Sequence, residues 1–314
     1  MQFEEAVSQF QTLLSNVRQT DIEKFLIWSK QTISGLLEDM SEGDNADVVM
    51  NSIREGIRQS LPIEGMTKTE HVVTPKHGPN ADCNPATTVH VDAFLYDEDT
   101  IDEMVEEGTM SRNYCVNCLS KQVKPLTFIT HSASLPQIKF MFQYLLEDLR
   151  NKTVLDVGSR TGAVLYGAYL YSEVNSLVGV ELDPTFCELQ NKVIQQFNMT
   201  DRIKIIHSDI LQQVELLQNS DVVILNNVFE FFMDDDQQLK LWSCMCQHIR
   251  KKDTVIITIP SIEESLSNLQ APIDITSWLK PIDISHLKEQ AVLKYFNNPE
   301  DSDLDDIHMY QVLL

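Results

Sequence analysis

Along the second half of the chain, short apolar runs alternate with longer stretches whose apolar residues recur every three to four positions. The runs fall at 153–157, 176–180, 203–206, 221–225 and 254–259, and the longer stretches at 163–173, 184–197 and 235–250. Buried runs of about five residues separated by helices of ~10–16 residues are the pattern of βαβ units, which build a mostly parallel sheet with helices on both faces. A further amphipathic helix is predicted over 135–149, with Ser134 as its N-cap and Pro136 in its first turn. The apolar runs 291–296 and 308–313, parted by the acidic stretch 300–306, read as an antiparallel hairpin on one sheet edge. The fold class predicted is α/β, with seven strands and an N-terminal helical extension.

Three regions follow from the pattern. Residues 1–61 read as helices: Phe3, Val7, Phe10, Leu13 and Leu14, then Ile22, Phe25, Leu26, Ile33, Leu36 and Leu37 keep helical spacing, and the pattern stops at Pro62. Residues 62–134 read as an irregular acidic linker or subdomain, because Pro62, Gly65, Pro75, Gly78, Pro79 and Pro85 interrupt any period. Inside it, 92–107 holds eight carboxylates and no basic residue, which predicts a short helix with a solvated face. Residues 135–314 form the α/β domain.

Charge narrows the function classes. Lys and Arg number 24 against 47 Asp and Glu, a formal net charge of −23. That balance disfavours nucleic acid as a partner, since phosphate binding needs a basic footprint. No run approaches the ~18 apolar residues of a transmembrane helix. The first residues show no basic-then-apolar leader, and six cysteines are sparse. These features predict a soluble cytoplasmic protein with reduced thiols, a nuclear location being equally consistent, and no membrane partner.

Three strand ends carry candidate chemistry. Asp156-Val-Gly158-Ser159-Arg-Thr-Gly162 lies where the first parallel strand meets its helix, a turn that needs glycine to bend sharply and approach a ligand. Glu181 and Leu182 follow the second strand, the acid standing 181 − 158 = 23 residues past the first glycine, where a carboxylate reaches both ribose hydroxyls. Asp209 and Ile210 follow the third strand, close to where an adenine amine would lie. Taken singly, each is a tight turn or a helix cap; in this order they predict an adenosine-type ligand. The loop lacks the G-x-G-x-x-G spacing of dinucleotide sites.

Val154-Leu-Asp-Val-Gly-Ser-Arg-Thr-Gly162 resembles the first motif of class I S-adenosylmethionine-dependent methyltransferases, hydrophobic-x-D-x-G-x-G-x-G, with Arg160 where the family has its middle glycine. The resemblance covers about residues 135–314 and implies a Rossmann-like sheet with S-adenosyl-L-methionine as cofactor. It also implies cofactor contacts from Asp156, Gly158, Ser159, Gly162, Glu181, Leu182, Asp209, Ile210 and Asn226. The acceptor region should follow the fourth strand. Asn226-Asn227-x-Phe229-x-Phe231 lacks the prolines of the amide-gripping motif in amine methylases and is similar, over about a dozen residues, to DOT1-type histone lysine methyltransferases. That similarity makes Asn227 and Phe229 candidate substrate contacts, although the aromatics also read as core packing at a strand-to-helix junction. The methyl acceptor expected is a protein side chain or a small molecule. The rival is a non-catalytic S-adenosylmethionine-binding sensor or scaffold.

Glu230, Asp234, Asp235 and Asp236 lie near enough to serve as a base, but aspartates before a helix read first as caps. His131 borders the pocket in one reading and is a core histidine in the other. Cys115-Val-Asn-Cys118 has the spacing of half a structural zinc site and needs two more ligands, with reduced thiols the competing reading.

Overall fold

The computed structural model describes residues 3–18, 20–22, 24–30, 45–70, 72, 84, 86–116, 123–146, 148–226, 229, 232–269, 273–296, 299 and 302–313. The chain divides into two compact units, 1–52 and 53–314. The first contains the helix Phe3–Asn16, and the helix Asn45–Arg58 runs across the division.

The segment ahead of the sheet has more structure than its prolines suggest. Strand β1 (Thr88–His90), the acidic helix Glu98–Glu106, and strands β2 (Asn113–Cys115), β3 (Val123–Pro125) and β4 (Thr127–Ile129) follow in order. β1 pairs parallel with β4, and β2 pairs antiparallel with β3. Arg54 and Arg58 donate to the carbonyls of Phe94 and Leu95, satisfying acceptors that no ladder reaches.

Strands β5 (Thr153–Val157), β6 (Ser176–Glu181), β7 (Ile203–His207), β8 (Val222–Asn226) and β9 (Val255–Ile259) occur where the apolar runs predicted them. With β10 (Leu279–Ile282) and β11 (His308–Val312) they form a seven-stranded sheet in the order β10-β11-β9-β8-β5-β6-β7. The pairs among β5 to β9 are parallel, and β11 runs antiparallel to both β9 and β10. Helices Ala163–Tyr171, Pro184–Gln196 and Asp235–His248 connect the strands. Leu155, Leu177, Val223 and Ile256 are fully buried, which explains why these strands read as unbroken apolar runs.

One expectation fails. Residues 291–296 do not pair with the last strand; they close the helix Ser285–Tyr295, with Leu293 83% exposed and Ala291 buried. The edge place goes to β10, whose Lys280-Pro281 looks like a breaker. Proline is tolerated there because an edge strand needs donors on one side only.

The helix before β5 begins as predicted. Ser134 Oγ accepts from Gln137 N (3.2 Å) and Gln137 Oε1 accepts from Ser134 N (3.0 Å), a reciprocal cap. After Phe140 it continues as a π-helical turn, Met141–Leu145, and ends short of 149. Ser134→Ala should lower unfolding free energy by ~1 kcal/mol, to be read as a shift of the urea midpoint at constant slope.

Candidate active site

β5 lies between β6 and β8, so the strand order reverses there and a crevice opens beyond the C-terminal strand ends. It holds a cavity of about 630 Å³, in the ~300–1,000 Å³ range of small-molecule sites. The loop after β5 forms its floor. Gly158 (φ 71°) and Gly162 (φ 85°) take left-handed backbone. At Gly162 a Cβ would also lie 2.5 Å from the buried Tyr166 hydroxyl, so glycine is required on two counts.

The predicted residues divide into two sets. Gly158, Glu181, Leu182, Asp209, Ile210, Asn226 and Phe229 line the cavity. Asp156, Ser159 and Gly162 stand behind it and shape the loop. Asp156 is buried, and desolvation with the nearby Glu181 charge pushes its carboxyl up to about 8. Ser159 Oγ lies against Gly179, where a Cβ would come within 2.7 Å of it.

Glu181 ends β6 and is held by two backbone donors, Arg160 N to Oε2 (2.8 Å) and Asp183 N to Oε1 (2.8 Å). Burial raises its pKa and these bonds oppose the rise. Each oxygen keeps a lone pair for a further donor. Asp209 accepts from Leu211 N (2.9 Å) and so caps the short turn Ile210–Gln212 while facing the cavity. Leu182 is 64% exposed beside Glu181. Asn226 closes β8, and its Oδ1 is buried without a hydrogen-bond partner among the described residues. Phe229 serves as both core and wall, its ring edge-on to Trp242 at 5.3 Å. Asn227, Glu230, Phe231 and Cys118 lie outside the described residues. Asp234 is an N-cap, in reciprocal bonds with Gln237. Cys115 sits on β2, and among the described residues no three His, Cys, Asp or Glu side chains gather to hold a metal.

Sequence reasoning missed the side of the cavity built by 53–134. Thr69 and Glu70 line it, as does Arg160, whose guanidinium binds Glu70, Asp92 and the Gly65 carbonyl. Thr67 and Thr69 donate to Asp183. His131 also lines the cavity, edge-on to Phe232 at 5.1 Å and bonded through Nε2 to His90 Nδ1 at 2.8 Å. Burial, with the charges of Arg160 and His90, lowers its pKa to about 3 and keeps the ring neutral. Apart from His131, which one reading of the sequence placed beside the pocket, no local pattern signals these contacts, because 41 to 116 positions separate the partners that meet.

A parallel sheet with an antiparallel seventh strand, a glycine loop at the switch point and a buried acid at the second strand end define a Rossmann-like class I methyltransferase architecture. Residues 155–252 match the family described as "Methyltransferase domain", and the chain carries a class I S-adenosylmethionine-dependent methyltransferase domain. No curated protein matches the chain. Among solved structures, it is similar to a putative O-methyltransferase from Klebsiella pneumoniae (14% identity, 59% of this chain and 84% of that one, TM-score 0.36). It is also similar to an RNA methyltransferase from Salinibacter ruber in complex with S-adenosyl-L-homocysteine (15%, 58% and 92%, 0.37). A third is an O-methyltransferase from Bacillus cereus in complex with S-adenosylhomocysteine (14%, 70% and 93%, 0.36). No helix among the described residues is long and apolar enough to cross a membrane.

Proposed function

We propose that this chain transfers a methyl group from S-adenosyl-L-methionine to a protein side chain. The observation that carries the cofactor reading is Glu181: a buried carboxylate at the second strand end, fixed by two backbone donors, with lone pairs facing a cavity large enough for a nucleoside. It accepts from the ribose hydroxyls, Leu182 and Ile210 flank the adenine, Asp209 lies at its amine edge, and Gly158 leaves room for the methionine end. When bound, the cofactor's sulfonium supplies the activated methyl group. The chain's part is to orient the acceptor and keep water out. Asn226 Oδ1, which lacks a partner among the described residues, suits an acceptor N–H or O–H, and Phe229, Phe232 and Met233 form an apolar wall beside it.

A protein acceptor is favoured by charge. Glu70, Glu181, Asp183 and Asp209 outnumber Arg160 and Lys240 around the cavity, and the chain carries −23 overall. Both attract a basic peptide and repel a polyanion.

Incubating the pure protein with methyl-labelled cofactor and cell extract tests the proposal. Label is expected in protein bands. Label in RNA or in small molecules would replace the acceptor, and tight cofactor binding without transfer to any fraction would make the site a sensor.

A further inference from the structure

Arg160 occupies the middle of the glycine loop with φ 45°, a left-handed conformation that side-chain-bearing residues adopt at a cost of ~1–2 kcal/mol. Its backbone N–H supports Glu181, a task any residue would perform. The side chain works elsewhere. Its Nε and Nη2 meet both oxygens of Glu70 (2.9 and 3.2 Å), Nη2 donates to Gly65 O (2.8 Å), and Nη1 donates to Asp92 Oδ2 (2.7 Å). Arg160 and Glu70 side chains are each 8% exposed and that of Asp92 is fully buried.

Residues 65–70 therefore form a strap tied at both ends by Arg160, and its last two residues border the cavity. Its middle is fastened by Thr67 and Thr69 to Asp183, which begins the helix after β6. Thr69 and Glu70 face the cavity beside Glu181 and Leu182, where the proposed cofactor's adenosine would lie. Few of the strap's side chains are buried, so polar bonds rather than apolar packing hold it down. Gly65 (φ 61°) makes its close pass over Asp92, where a Cβ would come within 2.8 Å of Asp92 Cβ.

We propose that Arg160 is a positioning residue that latches the strap 65–70 over the bound cofactor and so sets how slowly the cofactor leaves. This rests on the cofactor reading above. The guanidinium stays charged because the two carboxylates outweigh the cost of its burial. Opening the strap separates Arg160 from Glu70 and Gly65, and a cofactor bound beneath it leaves only after that break.

The test compares wild type, Arg160→Gly and the double variant Thr67→Val/Thr69→Val, which leaves the buried ions intact should the glycine variant fail to fold. Two readouts are taken: dissociation of labelled S-adenosylhomocysteine chased with unlabelled ligand, and hydrogen exchange of residues 65–70 without ligand. Dissociation should quicken about 10- to 100-fold, as for loss of one or two charge-assisted bonds, with association changed less. Strap amides should exchange faster while those of β5 to β9 keep their protection. Wild-type dissociation in a folded variant, or a melting-temperature drop alone, overturns the latch. If the wild type binds no S-adenosylhomocysteine, the cofactor reading falls instead, and unchanged ligand-free exchange would independently show that Arg160 does not hold the strap.

Discussion

Glu181→Ala should weaken S-adenosylhomocysteine binding by ~3–4 kcal/mol, or about 100- to 1,000-fold in affinity. The carboxylate does two things at once. It offers lone pairs to the ribose hydroxyls, and it accepts from Arg160 N and Asp183 N, tying the glycine loop to the start of the helix after β6. Alanine removes the ligand contact and leaves two partly buried N–H groups without an acceptor. Glu181→Gln keeps an amide oxygen for one of them and should lose less. Calorimetric titration checks both variants, and the order Ala worse than Gln is the informative outcome. Equal affinity in wild type and alanine variant would remove Glu181 from the site.

Asp92→Ala should lower the unfolding free energy by ~3–5 kcal/mol, the cost of removing one partner from a buried ion pair. Asp92 Oδ2 accepts from Arg160 (2.7 Å) and from Ser132 Oγ (2.6 Å), and Oδ1 accepts from Leu95 N (3.1 Å). Without it, Arg160 keeps Glu70 but loses the deeper of its two carboxylates, and the turn carrying His131 loses its anchor. Asp92→Asn preserves the shape and one acceptor while deleting the charge, so an intermediate loss is expected. Urea unfolding followed by fluorescence of the buried Trp242 and Trp278 measures both. A loss under 1 kcal/mol for the alanine variant would mean that the network is dispensable to the fold.

The five parallel strands and three of the four helices between them were legible from the sequence, the short Val214–Asn219 being the one missed, because strands buried on both faces must be apolar throughout and long connectors carry a helical period. The same logic placed Gly158, Glu181, Asp209 and Asn226 at the strand ends, where they line the cavity, since strand ends follow from the apolar runs. Local patterning failed where a residue's role depends on what lies beside it in space. The run 291–296 suits a strand or a helix equally, and only the edge beside β11, filled by the proline-bearing β10, decided between them. Ser159 and Asp156 belong to the glycine motif yet do not line the cavity, because Asp156 is a buried residue of β5 and Ser159 is turned toward Gly179 of β6. Arg160 is the clearest case. In sequence it is a bulky interruption of a glycine loop; in the structure its side chain leaves the loop for Glu70, Gly65 and Asp92, which lie 68 to 95 residues earlier. Sequence determined the elements and the strand ends that border the cavity, because burial and backbone geometry are local properties of residue type. Tertiary structure alone decided what covers those ends, because an ion pair is specified by two partners and neither carries a mark of the other.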